Sequence, residues 1–150
     1  MKWFAILILM MLTAVAFGQQ SETTKIELRA TNAVIIGNQK LSNNKIGSWD
    51  SISNRVIWTA SVARAGSYRV IFEYACPADY AGTEFDVWVG SQKANGIIAP
   101  TASWTSFVKM DLGPVLIRKP GDYKVEIAPT RSLRTRSMMD VRSVTLQREE

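Results

Sequence analysis

Apolar side chains recur at every second position through most of the chain, and this period of two is what most restricts its fold. Val56, Trp58, Ala60 and Val62 alternate with Ile57, Thr59 and Ser61, and Tyr68, Val70, Phe72 and Tyr74 alternate with Arg69, Ile71 and Glu73. Phe85, Val87 and Val89 alternate with Glu84, Asp86 and Trp88. Val115 and Ile117, then Tyr123, Val125 and Ile127, continue the pattern, and the last run reads Met139, Val141, then Val144 and Leu146. Residues two apart share one face of a sheet, so each run describes a strand buried on one side. Turn-prone segments separate the runs: Ala65-Gly66-Ser67, Ala81-Gly82-Thr83, Gly90-Ser91, Asn95-Gly96, Gly113-Pro114 and Pro120-Gly121-Asp122. No stretch repeats at helical spacing. Short strands so spaced predict an all-β, antiparallel sandwich or barrel. Asn43-Asn44-Lys45 and the segment from Pro77 to Gly82 read as loops long enough to build a site.

The first eighteen residues follow a different logic. Lys2, the apolar run from Trp3 to Leu12 and the small residues Ala16 and Gly18 fit a secretory signal peptide cut before Gln19, with a cut after Ala16 as the alternative. The run is shorter than the roughly 20 residues that a membrane span needs. The expected organisation is therefore a signal peptide over 1–18, a short extension over 19–25 and a single sandwich domain over 26–148. The expected location is secreted or periplasmic, with no membrane span. One unit of the formal charge of +5 leaves with Lys2, and the 47% hydrophobic content is inflated by the leader.

The chain has no histidine and one cysteine. That excludes a Ser-His-Asp triad, a Cys-His dyad, imidazole metal ligands, a four-thiolate zinc site and an internal disulfide. Cys76, between Ala75 and Pro77 at the end of an apolar strand, reads as a buried structural thiol. A glycosidase needs two carboxyl groups about 5–10 Å apart across a cleft. Glu73, Glu84 and Asp86 fall instead on outward strand positions, solvated or paired with Arg69. No enzyme is predicted. No nucleic-acid-binding pattern occurs either.

Four tryptophans follow the leader. Trp58 shares the parity of Val56 and Val62 and reads as core; Trp88 has the opposite parity to Val87 and Val89 and reads as half-covered on an outer face. Trp49 and Trp104 lie at loop-to-strand junctions among small polar residues, in Gly47-Ser48-Trp49-Asp50 and Thr101-Ala102-Ser103-Trp104-Thr105. A sugar ring offers an apolar C–H face and a belt of hydroxyls, so flat aromatic walls with a few polar groups suit it. Structural tryptophan at a strand end reads equally well from these residues alone.

The order of short motifs carries a resemblance. Ile46-Gly47-x-Trp49, Val56-x-Trp58, Ala65-Gly66-x-Tyr68-x-Val70, Tyr74-Ala75-Cys76 and Gly82-x-x-Phe85-x-Val87 are followed by Thr101-x-Ser103-Trp104-x-x-Phe107, Leu112-Gly113-x-Val115 and Met139-Asp140-Val141-x-Ser143-Val144-x-Leu146. The pattern resembles the β-sandwich modules appended to bacterial α-L-fucosidases and sulfatases and, more distantly, family-6 carbohydrate-binding modules. The resemblance implies a jelly-roll sandwich of galactose-binding-like type, exported by a bacterium, that binds a polysaccharide or glycan at loops on one edge. It implies Trp49 and Trp104 as stacking platforms. Tyr80, in the Pro77 to Gly82 loop, reads either as loop packing or as a third wall. The resemblance places the sugar-orienting asparagine of those modules at Met138, which has no amide to donate. It also implies a structural calcium with Asp140 as a ligand, but the N-terminal ligand positions fall on Arg29 and Thr31, with Glu27 nearby. Arginine repels a cation, so no cofactor is expected, calcium included, and Asp140 is expected to pair with an arginine or with backbone amides.

Arg131, Arg134 and Arg136 crowd the loop from Pro129 to Ser137, with Arg142 and Arg148 beyond. A solvated basic loop is one reading. The other is that Arg134 and Arg136 stand in for the missing asparagine and select an anionic sugar, since the guanidinium fork engages carboxylate or sulfate oxygens in pairs. The function expected is non-catalytic carbohydrate binding, alone or beside a separate glycan-degrading enzyme. The alternative is a structural or protein-interaction module with no sugar ligand of its own.

Overall fold

The computed structural model describes residues 24–133 and 135–150. The leader read over 1–18, most of the extension over 19–25 and Arg134 lie outside the described residues. Eleven strands follow in order: β1 (Lys25–Arg29), β2 (Val34–Ile36), β3 (Lys40–Ser42), β4 (Lys45–Gly47), β5 (Arg55–Val62), β6 (Gly66–Ala75), β7 (Glu84–Val89), β8 (Gln92–Ile97), β9 (Val108–Ile117), β10 (Gly121–Pro129) and β11 (Asp140–Arg148). Two single-turn 3-10 segments, Ala30–Asn32 and Ala78–Tyr80, are the only helical pieces among the described residues.

All pairings are antiparallel. One sheet runs β3-β4-β11-β6-β9, with β1 also on β11, and the other runs β2-β5-β10-β7-β8. The two pack face to face as a jelly-roll sandwich. The alternating residues supply the core: Val56, Trp58, Val70, Phe72, Phe85, Val87, Val125, Ile127, Val144 and Leu146 are all buried. Trp58 keeps its indole N–H satisfied on the carbonyl of Arg29 at 2.8 Å. Trp88 stands half-buried on the outer face, with Lys93 Nζ 5.4 Å from the ring centre.

Three turn expectations are corrected. Asn95-Gly96 lies inside β8, because a side chain at 96 would meet the Phe85 ring at 3.1 Å and Leu112 at 2.8 Å; the glycine serves close packing rather than a turn. Gly113-Pro114 lies inside β9, where the register with β6 shifts and Gly113 takes φ +94°. Proline is tolerated there because β9 is an edge strand. Asn43 and Asn44, both at positive φ (50° and 59°), make the tight turn between β3 and β4 rather than a long loop.

The C-terminal end of β11 is tied to β6. Arg69 bonds both Asp111 and Glu149, which keeps the guanidinium firmly charged. The Arg69 hydrogen bond holds the Asp111 carboxyl below its usual range, and hydrogen bonds from Ser67 and then Arg69 do the same for Glu149. Arg69 therefore pairs with these two carboxylates and not with Glu73, Glu84 or Asp86.

Candidate functional site

Four loops meet at one end of the sandwich: 48–54, 76–83, 98–107 and 130–139. Backbone hydrogen bonds stitch them together, from Met138 N–H to Trp49 C=O (3.2 Å), Thr101 N–H to Cys76 C=O (2.7 Å) and Gly82 N–H to Ile98 C=O (2.8 Å). This is the edge where the tryptophans and arginines were expected to converge.

Trp49 does not face a ligand there. Its side chain is 0% exposed and its indole N–H donates to Ile46 C=O at 3.1 Å. Ser48, at φ +62°, precedes this inward course of the chain. The small polar neighbours marked a loop, but the gain from burying an indole folds that loop inward. Met138 and Met139 are buried in the same core cluster. The stacking role expected of Trp49 is thus overturned, and Met138 is a core residue with no path to a sugar.

Trp104 and Tyr80 do come together. Both are half-buried, with ring centres 4.9 Å apart and planes tilted by 57°. The Trp104 carbonyl accepts from Lys45 Nζ at 3.4 Å, and beside it Ser103 Oγ shares hydrogen bonds with Thr105 (3.0 Å) and Ser106 (2.9 Å). Arg136 is exposed and lines a shallow depression of about 500 Å³ with Asp50, Ser51, Ile52, Leu133 and Thr135; neither Tyr80 nor Trp104 lines it.

Asp140 pairs with a lysine rather than an arginine. Lys45 Nζ lies 2.6 Å from Asp140 Oδ2, and Gly47 makes room, since a Cβ there would fall 2.4 Å from Asp140 Oδ1. The residues do not fit the calcium ion that modules of the resembled type carry. An ammonium already neutralises the carboxylate, and no group of three or more metal-ligating acids or thiols occurs among the described residues. Glu73 is paired with Arg142, Glu84 with Arg131 and Asp86 with Lys93. No two of these carboxylates are left free to flank a substrate.

Cys76 is buried, with its thiol directed at the carbonyl of Met138 at 3.2 Å. Burial, and secondarily the Asp140 charge, push the thiol up to about 11. At pH 8 the native protein is expected to leave Cys76 unlabelled by a small disulfide reagent, with stoichiometric labelling in denaturant. Labelling at the same rate in both states would show that the thiol is accessible.

Sequence reasoning missed Lys45, Phe107 and Arg142. The Arg142 guanidinium carbon lies 3.6 Å from the centre of the Phe107 ring, and Lys45 Nζ lies 5.9 Å from it. The detectable signal was the step from Val141 to Val144, which breaks the period of two. The break is a bulge in β11 opposite β6.

No family model matches the chain, and no curated protein matches it. Solved structures do. A native family-35 carbohydrate-binding module from Clostridium thermocellum is similar at TM-score 0.66 and 14% identity, covering 82% of this chain and 97% of that one. The mannan-binding module from Man5C, in bound conformation, is similar at TM-score 0.64 and 18% identity over 83% and 98%. The GH26-CBM35 β-(1,4)-mannanase of Podospora anserina is similar at TM-score 0.64 and 18% identity, over 84% of this chain but only 28% of the mannanase. These likenesses bear out the sandwich of carbohydrate-binding-module type; they do not speak to fucosidase or sulfatase modules or to family 6. Among the described residues no helix is long and apolar enough to cross a membrane.

Proposed function

We propose that the protein is a non-catalytic carbohydrate-binding module whose ligand sits at the loop edge carrying Tyr80 and Trp104. The observation that carries this reading is the half-buried pair itself, two aromatic rings at 4.9 Å beside a cluster of hydroxyls. Each ring secures the other and keeps part of its surface open, a rigid apolar wall for the C–H face of a pyranose. The Ser103, Thr105 and Ser106 hydroxyls supply partners for sugar hydroxyls. Solved structures of the same sandwich include a mannan-binding module and a family-35 module in complex with a glucuronic-acid-containing disaccharide. Preference for acidic glycans, with Arg136 and Arg134 contributing, belongs to this reading, as do the secretory leader over 1–18 and a separate glycan-degrading enzyme as partner. The burial of both Trp49 and Met138 favours the second reading, a structural or protein-interaction module.

Tryptophan fluorescence and calorimetric titration with mannan, xylan and polygalacturonate fractions separate the two. Trp104→Ala is expected to weaken binding about tenfold, equivalent to about 1.4 kcal/mol of stacking, while the protein stays folded. Unchanged affinity in Trp104→Ala, or no response to any fraction, removes the edge site.

A further inference from the structure

A second polar cavity lies on the outer face of the six-stranded sheet; neither Tyr80 nor Trp104 lines it, although its Arg142 stacks on Phe107 at the end of the 98–107 loop. It measures about 350 Å³ and is lined by Glu27, Arg29, Thr31, Asn43, Asn44, Arg142 and Ser143. Its origin is the register of three strands. Arg29 of β1 sits opposite Ser143 of β11, and Ser143 sits opposite Glu73 of β6. A small residue between long neighbours leaves a trough, with Ser143 only 4% exposed at its floor. The β11 bulge falls at this point, so that Arg142 and Ser143 both bond the one Glu73 carboxylate, at 3.4 and 3.1 Å. Bulges re-aim side chains in this way beside functional sites.

The groups in the trough are positioned yet under-bonded. Stacking on Phe107 at 3.6 Å fixes the Arg142 plane and leaves its donor-bearing rim uncovered. Of the five N–H donors of that guanidinium, one makes a long contact among the described residues. Arg29 meets Glu27 at 3.3 and 3.5 Å, an exposed pair of the kind that contributes little and exchanges readily. The side-chain amides of Asn43 and Asn44 have no partner among the described residues, and the turn holds both at the rim. Two guanidinium groups, two free amides and a volume that fits one ring describe a receptor for a planar or tetrahedral oxyanion carried on a polyhydroxyl scaffold.

We infer that this trough binds the carboxylate or sulfate group of an acidic saccharide, with Arg142 and Arg29 on the anion and Asn43 and Asn44 on neighbouring hydroxyls. The inference rests on the proposed carbohydrate-binding function, to which it adds a second site. Glu27 competes with the ligand for Arg29.

Amide chemical shifts of the labelled full chain, titrated with a heparin-derived hexasaccharide, with oligogalacturonate and with mannohexaose, test it. The acidic oligosaccharides are expected to move the signals of Arg29, Asn44 and Ser143, and mannohexaose to leave them unmoved. Arg142→Gln and Arg29→Gln are each expected to lower acidic affinity about tenfold, Glu27→Gln to raise it severalfold, and 0.5 M salt to weaken all of it. The gain in Glu27→Gln is an effect that misfolding cannot imitate. Trp104→Ala leaves these shifts in place. Acidic ligands that move only the loop edge, or an Arg29→Gln/Arg142→Gln double variant with wild-type affinity, overturn the trough and leave the edge site standing. Inorganic sulfate acting as strongly as the hexasaccharide overturns the saccharide assignment. Shifts in the trough alone overturn the edge and keep the trough.

Discussion

Trp49→Ala is expected to lower the free energy of unfolding by about 3–5 kcal/mol, the range for emptying a fully buried large side chain. The indole is wholly enclosed, its N–H is satisfied on Ile46, and its backbone carbonyl anchors Met138. Truncation leaves a cavity between the loops and removes the indole hydrogen bond to the Ile46 carbonyl. Against the 5–15 kcal/mol typical of a domain, this is enough to populate unfolded protein near body temperature. Urea denaturation of Trp49→Ala and Trp104→Ala in parallel reads the contrast. A loss under about 1 kcal/mol in Trp49→Ala would mean that the loop opens and that the ring is available to a ligand. With the expected loss of stability, any loss of glycan binding in Trp49→Ala is a folding effect, whereas in Trp104→Ala it is a contact effect.

Lys45→Met is expected to destabilise by about 2–3 kcal/mol. The Lys45 and Asp140 side chains are 23% and 12% exposed, so removing the ammonium strands a largely enclosed carboxylate. The magnitude sits below the 3–5 kcal/mol seen when a fully buried pair is broken, because some water reaches both groups. Lys45→Met/Asp140→Leu is expected to recover much of the loss, since both charges go and apolar volume replaces them. Because an ammonium, not a metal, satisfies Asp140, neither a chelator nor millimolar calcium should move the wild-type urea midpoint. A calcium-dependent rise in that midpoint would show that Asp140 ligates the ion after all.

The sheet faces were legible because alternation is a local signal. Runs such as Val56 to Val62 and Tyr68 to Tyr74 carry their burial in their parity, and the structure buries them as read. The site was less legible because its geometry is set by distant partners. Nothing near Trp49 distinguishes it from Trp104; the difference is that the Trp49 backbone carbonyl accepts from Met138, far away in sequence, and its indole N–H donates to Ile46, just before it. Lys45 meets Asp140 across 95 residues of chain. The trough needed the registers of β1, β11 and β6 together, of which only the broken period between Val141 and Val144 shows in the sequence. Gly96 and Gly113 misled for a related reason. Glycine marks a tight approach or an irregular strand as readily as a turn, and only the packed neighbour decides.

The last strand has one further consequence. β11 bonds β6 along one side and shares its other side between β4 and β1. Until it inserts, the six-stranded sheet exists only as separate halves, the β3-β4 hairpin and β1 on one side and β6-β9 on the other, each with an open, sticky rim. The sheet therefore closes through long-range pairings, and β11 works as its fastener. All of the chain from β1 to β11, Lys25 to Arg148, must be made before this sheet can lock. Such topologies assemble slowly and stay soluble and pliable meanwhile only while their rims are kept from other chains.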